Sequence, residues 1–116
     1  MATGVAIERR LGPVITATIA VGGTTSEIVN VSEAAIGMVY LPATFDGTTI
    51  TFLCSPTYGG TYVALEDASS NAVSITTAAS QCFTIPEAVF GAGFIKLVAG
   101  STQTTTDTDI LITLKG

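Results

Sequence analysis

Asp107 and Asp109 stand two apart in the run Thr105-Thr106-Asp107-Thr108-Asp109, the spacing with which calcium loops present oxygen ligands. An EF-hand loop needs further oxygens at fixed positions and a glutamate at the twelfth, and these are missing, so the run reads as a solvated loop. Glu66-Asp67 is a second carboxylate pair, but acid-base work by like charges requires burial. Its place beside a turn predicts side chains that bond to their own backbone instead. Ser55, Ser80 and Ser101 lie in no nucleophile elbow, and the chain contains no histidine to serve as their base. Cys54 and Cys82 lack such a base too. Two cysteines are too few for a disulfide framework, so they read as small free buried hydrophobes, with a bridge between them as the alternative. The glycine pairs lack the phosphate-loop lysine and the dinucleotide-binding spacing. The expectation is no catalytic residue, no metal site, no cofactor and no enzymatic activity.

Binding residues are the remaining option. Tyr58-Gly59-Gly60-Thr61-Tyr62 offers two tyrosines beside glycines, a flat amphipathic surface for a sugar or protein partner, or else a hairpin turn with Tyr62 facing the core. Near the start, Val5, Ile7 and Leu11 surround Arg9-Arg10 in a segment too short to fold alone but able to lie across a neighbour. These seven residues, Val5, Ile7, Arg9, Arg10, Leu11, Tyr58 and Tyr62, are the candidate partner contacts.

Composition narrows the partners. Net charge is −5 with four basic residues among 116, which argues against nucleic acid, because phosphate binding requires clustered Lys and Arg. No apolar run approaches the length of a membrane helix, as Val14 to Val21 ends at Gly22-Gly23. Met1 to Arg10 lacks the apolar stretch of a secretory signal, so synthesis in a cytoplasm is expected. Only 11% of residues are charged while 47% are hydrophobic, and 20 threonines with 8 serines cover the exterior in place of charge. A surface so neutral self-associates unless its apolar areas already have partners, which favours an assembly component.

The elements that must carry these residues follow from period and punctuation. Threonine's branched side chain favours extended backbone, and apolar runs of five to eight residues recur between Gly, Pro, Asn, Asp and Ser clusters. Val14 to Val21 and Glu27 to Val31 read as a hairpin around Gly22-Gly23, with Ile15, Ala17, Ile19 and Val21 on one face and Ile28 inward with Val29 or Val31. Ala34 to Leu41 is a continuous apolar strand stopped by Pro42. Thr48 to Ser55 places Ile50, Phe52 and Cys54 on one face. Thr61 to Leu65 and Ala72 to Thr76 suggest a second hairpin, Gln81 to Ile85 a short strand, and Pro86 to Phe90 a single helical turn. Phe94 to Ala99 is a buried strand in which Lys96 must point out or snorkel, and Ile110 to Leu114 closes the domain after a Thr-rich loop. Eight or nine strands in one domain, 14–116, behind an N-terminal arm, 1–13, predict an all-β two-sheet sandwich. Spacing leaves jelly-roll and Ig-like Greek-key topologies open.

The run Ile50-Thr51-Phe52-Leu53-Cys54-Ser55-Pro56-Thr57-Tyr58-Gly59-Gly60-Thr61-Tyr62-Val63-Ala64-Leu65 resembles small all-β structural proteins of tailed phages. There a strand ending in Ser precedes a Gly-rich turn and a Thr-Tyr-x-x-Leu strand. Phe94 to Ser101 is similar to their penultimate strand, and Ile110 to Leu114 to the terminal one, so the likeness spans roughly Leu41 to Gly116. The resemblance implies a virion structural protein, a capsid decoration or cement protein on the capsid exterior, made in the host cytoplasm. It would bind the major capsid protein and itself, as a dimer or trimer. The alternative is a carbohydrate- or receptor-binding module of a phage tail or cell surface, with Tyr58 and Tyr62 as contacts.

Overall fold

The computed structural model describes residues 14–116. The chain is all-β there, as expected. Its nine strands are β1 (Val14–Ile19), β2 (Thr25–Asn30), β3 (Ile36–Tyr40), β4 (Thr49–Ser55), β5 (Val63–Ala64), β6 (Ser74–Thr76), β7 (Cys82–Thr84), β8 (Phe94–Ala99) and β9 (Thr108–Lys115). Among the described residues there is no α-helix, and the turn expected after Pro86 is a 3-10 helix, Glu87–Gly91, with Pro86 as its N-cap.

The strands form one continuous path of antiparallel neighbours, β5-β4-β8-β2-β1-β9-β3-β7, with β6 pairing beside β5 on β4. The path curls like half a barrel. Its two halves meet where β1 and β2 are paired, only at Ile19 and Ser26, so the hairpin expected around Gly22-Gly23 is reduced to its base. Beyond that pair the strands part. β1 follows β9 through six consecutive pairs, from Val14 with Thr113 to Ile19 with Thr108, and β2 follows β8. Glu27 bridges the split, its Oε1 accepting a hydrogen bond from the backbone N–H of Thr18 at 3.3 Å.

Alternation along each strand sends one set of side chains into the curl and the other outward. Inward side chains from both halves build a single core. Ile19, Val39, Ile110 and Ile112 come from one half, and Ile50, Phe52, Ile95 and Leu97 from the other, all less than 2% exposed. Burying each such side chain contributes about 1.5–3 kcal/mol. The short end strands β5 and β7 present few unpaired backbone groups, which limits edge-to-edge aggregation.

Several expectations from period alone are corrected by irregular backbone. The pairing of β2 with β8 shifts register between Thr25 and Ile28. That bulge buries Ser26, Val29 and Val31 and leaves Ile28 on the outside, half-buried. Ser26 repairs the interrupted ladder, because its Oγ accepts the buried N–H of Leu97 at 2.9 Å. Val21 lies past the end of β1 and is exposed rather than inward. Cys82 and Cys54 are both free, but Cys82 is exposed on the end strand β7 and Cys54 is half-buried, so neither is the buried hydrophobe expected.

The Thr-rich loop before β9 is not merely solvated. Gln103 is fully buried at its base: its Nε2 donates to the carbonyl oxygens of Asp46 at 2.8 Å and Ser101 at 3.1 Å. Its Oε1 accepts from the backbone N–H of Asp46 at 3.0 Å and from Thr108 Oγ1 at 2.7 Å. The side-chain amide thereby satisfies the loops that meet at this end of the sheet.

Candidate interaction surfaces

Several of the residues first considered for chemistry are engaged within the fold. Asp107 Oδ1 accepts the N–H of Val21 at 2.9 Å, and Asp109 Oδ1 accepts Thr18 Oγ1 at 2.8 Å. Asp67 Oδ1 accepts the N–H groups of Ser69 and Asn71 at 2.8 and 3.0 Å, closing the turn whose tip Ser70 has φ of 63°. Ser55 is buried, its Oγ donating to the Thr57 carbonyl at 2.7 Å. Among the described residues no three His, Cys, Asp or Glu side chains are placed to hold a metal ion, and no helix is long and apolar enough to cross a membrane.

Two outward faces remain, one on each half of the curl. On the half built from β5, β4 and β8, the outward side chains Thr49, Thr51, Leu53, Phe94, Lys96 and Val98 are all half-buried. The loop between β4 and β5 packs on this face. Tyr58 meets the Phe94 ring edge to face, centroids 6.0 Å apart and planes at 86°. Lys96 Nζ stands 4.7 Å from the centroid of the Tyr62 ring, a cation–π contact, and Tyr62 OH donates to the Tyr58 carbonyl oxygen at 2.8 Å. Tyr62 therefore neither faces the core nor stands free; it covers the sheet from outside. Partial desolvation, and secondarily Tyr58 beside it, hold the Tyr62 phenol above its ordinary pKa. The loop reaches this position through Gly60, where an added Cβ would lie 2.5 Å from both Ser55 Oγ and Thr57 Oγ1. Tyr58 remains 65% exposed at the edge of the covered face.

Among the described residues, no loop folds over the outward face of β7, β3, β9 and β1. Register places its side chains in rows. Cys82, Tyr40, Leu111 and Thr16 form one row, and Thr84, Met38, Thr113 and Val14 the next. Ile36 lies beside Lys115 at one end, and Thr18 beside Asp109 at the other. Val14, Ile36, Tyr40 and Leu111 are four of the seven large hydrophobic side chains exposed among the described residues. Such a cluster on one sheet face marks an interaction surface, unlike apolar residues scattered singly.

Sequence reasoning placed none of these residues on a candidate surface, although a signal was present. Ile36-Gly37-Met38-Val39-Tyr40 and Ile110-Leu111-Ile112 are apolar on both parities, whereas a strand with one wet face alternates. Of the expected partner contacts, Tyr58 and Tyr62 are brought together on the other half. Val5, Ile7, Arg9, Arg10 and Leu11 lie outside the described residues.

No protein-family model, curated protein or solved structure matches the chain.

Proposed function

We propose that this chain is a non-enzymatic assembly protein, a capsid decoration or cement protein of a tailed phage that binds the major capsid protein lattice from outside. In this reading the curled sheet is the two layers of a sandwich opened along the β1–β2 split, with residues 1–13 as an arm. The observation that carries the proposal is the bare apolar face of β7-β3-β9-β1 on a chain with 11% charged residues. A lattice protein gains affinity from many modest contacts multiplied by symmetry, contacts between its own copies among them, and a sheet face of threonine and aliphatic side chains suits such self-contact. Gel analysis and negative-stain microscopy of particles purified from the source test the proposal. The chain is expected in intact virions at a stoichiometric copy number, and its absence from them rules the proposal out.

A second reading, a carbohydrate- or receptor-binding module, draws support from the exposure of Tyr58. Glycan-array binding that Tyr58→Ala removes would favour it. Binding to no glycan would count against it.

A further inference from the structure

We infer that the outward face of β7-β3-β9-β1 is the contact between two copies of this chain, packed face to face with their β9 strands antiparallel. The inference concerns the purified chain and does not require a capsid.

The charge pattern of β9 selects this partner and this orientation. Asp109 and Lys115 stand at opposite ends of the outward row of β9, with Leu111 and Thr113 between them. Six residues of strand separate the two charges, about 20 Å. A second copy can cover this face about a twofold axis lying either along β9 or across it. An axis along β9 sets Asp109 against Asp109 and Lys115 against Lys115. An axis across β9 reverses the strand and sets Asp109 against the partner's Lys115 twice. Only the second arrangement is complementary, and like charges brought together at a drying interface are costly.

The same axis matches the apolar rows. Reversal about the middle of β9 lays Leu111 over the partner's Thr113, Tyr40 over the partner's Met38, and Thr16 over the partner's Val14. Large side chains meet smaller or flexible ones, as interdigitation of two sheet faces at about 10 Å requires. The Asp109 carboxylate is oriented by a hydrogen bond that it accepts from Thr18 Oγ1 at 2.8 Å. Lys115 is one of two cations among the described residues, and the other, Lys96, is engaged over Tyr62 on the opposite half.

The face is small. Four strands of three to eight residues, spaced by about 4.8 Å, give a face of roughly 350 Å² in plan. A standard interface buries about 800 Å² per partner, so this face makes a small contact, and association is sought up to several hundred micromolar.

Charge exchange is the test, read by sedimentation equilibrium and native mass spectrometry. The series comprises the wild-type chain, D109K, K115D, an equimolar mixture of the two, and the double exchange D109K/K115D. Both positions are exposed, and circular dichroism verifies the fold of each variant. The wild type should dimerise and each single variant should do so about tenfold more weakly. The mixture should form the heterodimer preferentially, and the double exchange should recover wild-type dimerisation. L111K should abolish dimerisation, whereas deletion of residues 1–13 should leave it intact. The inference is overturned if the wild type stays monomeric at several hundred micromolar, if the single variants dimerise as it does, or if neither the mixture nor the double exchange recovers association. Loss of the dimer on deletion of 1–13 overturns it too, since the arm would then be the occupant of this face.

Discussion

The two outward faces of the curled sheet are built from the same materials and finished differently. Both consist of strands with threonine and aliphatic side chains pointing away from one shared core. Over β4 and β8, the chain folds its own loop back and sets Tyr58 and Tyr62 against Phe94 and Lys96. Over β3, β9 and β1 it leaves Val14, Ile36, Tyr40 and Leu111 exposed. The difference teaches that low charge alone does not locate a contact surface. What locates it is the apolar sheet face that, among the described residues, no loop covers.

The two halves share one core and differ outside it, and the largest expected effects lie in that core. Phe52→Ala removes a core side chain from one half and Ile112→Ala from the other, and both residues are buried. Losses of about 3–5 and 2–5 kcal/mol are expected, measured by urea unfolding as one cooperative transition each. Two separate transitions would show that the halves do not share a core.

Gly37 is the next test, confined to the bare half. A Cβ there would meet Leu114 Cδ2 and the Thr113 carbonyl oxygen at 2.8 Å. Gly37→Ala therefore costs about 1–3 kcal/mol through overpacking beneath the face, visible as a lowered denaturation midpoint.

A smaller effect separates the faces themselves. Tyr62→Ala strips the cover from Lys96 and releases the Tyr58 loop, so it destabilises the monomer by about 1–2 kcal/mol. Ile36→Ser and Leu111→Ser remove side chains that point away from the core and lose only contacts with cross-strand neighbours, so each costs the monomer less, about 0.2–1 kcal/mol. These are read from thermal melts at concentrations below any association. Equal losses on the two faces would erase the distinction between them.

Much of the fold was legible because period-two alternation and turn residues speak directly of strands. Ile50 and Phe52 on β4, the 3-10 turn after Pro86, and the outward Lys96 all follow from local pattern. Pairing is less legible. That β1 and β2 share one pair before separating depends on a bulge between Thr25 and Ile28, which no residue type announces. Gln103 looked like one polar residue in a polar loop, because its role depends on Asp46, 57 positions away. The bare face was written in the doubly apolar runs of β3 and β9, which also fit strands buried on both sides. Choosing between burial and exposure there requires knowing what lies against the outer face. Local pattern does not carry that knowledge, since neighbours such as Thr84 and Val14 arrive from distant parts of the chain. Cys82 illustrates the same limit, for its exposure follows from its register beside the outward-facing Tyr40.

Hydroxyl-radical footprinting across a concentration series, from dilute monomer to the highest soluble concentration, addresses both faces in one sample. Oxidation of Met38, Tyr40 and Leu111 should fall as concentration rises, while Tyr58 and Val63 stay constant. Protection of Tyr58 and Val63 with no change at Met38, Tyr40 and Leu111 would contradict the assignment of the bare face as the surface through which this chain associates.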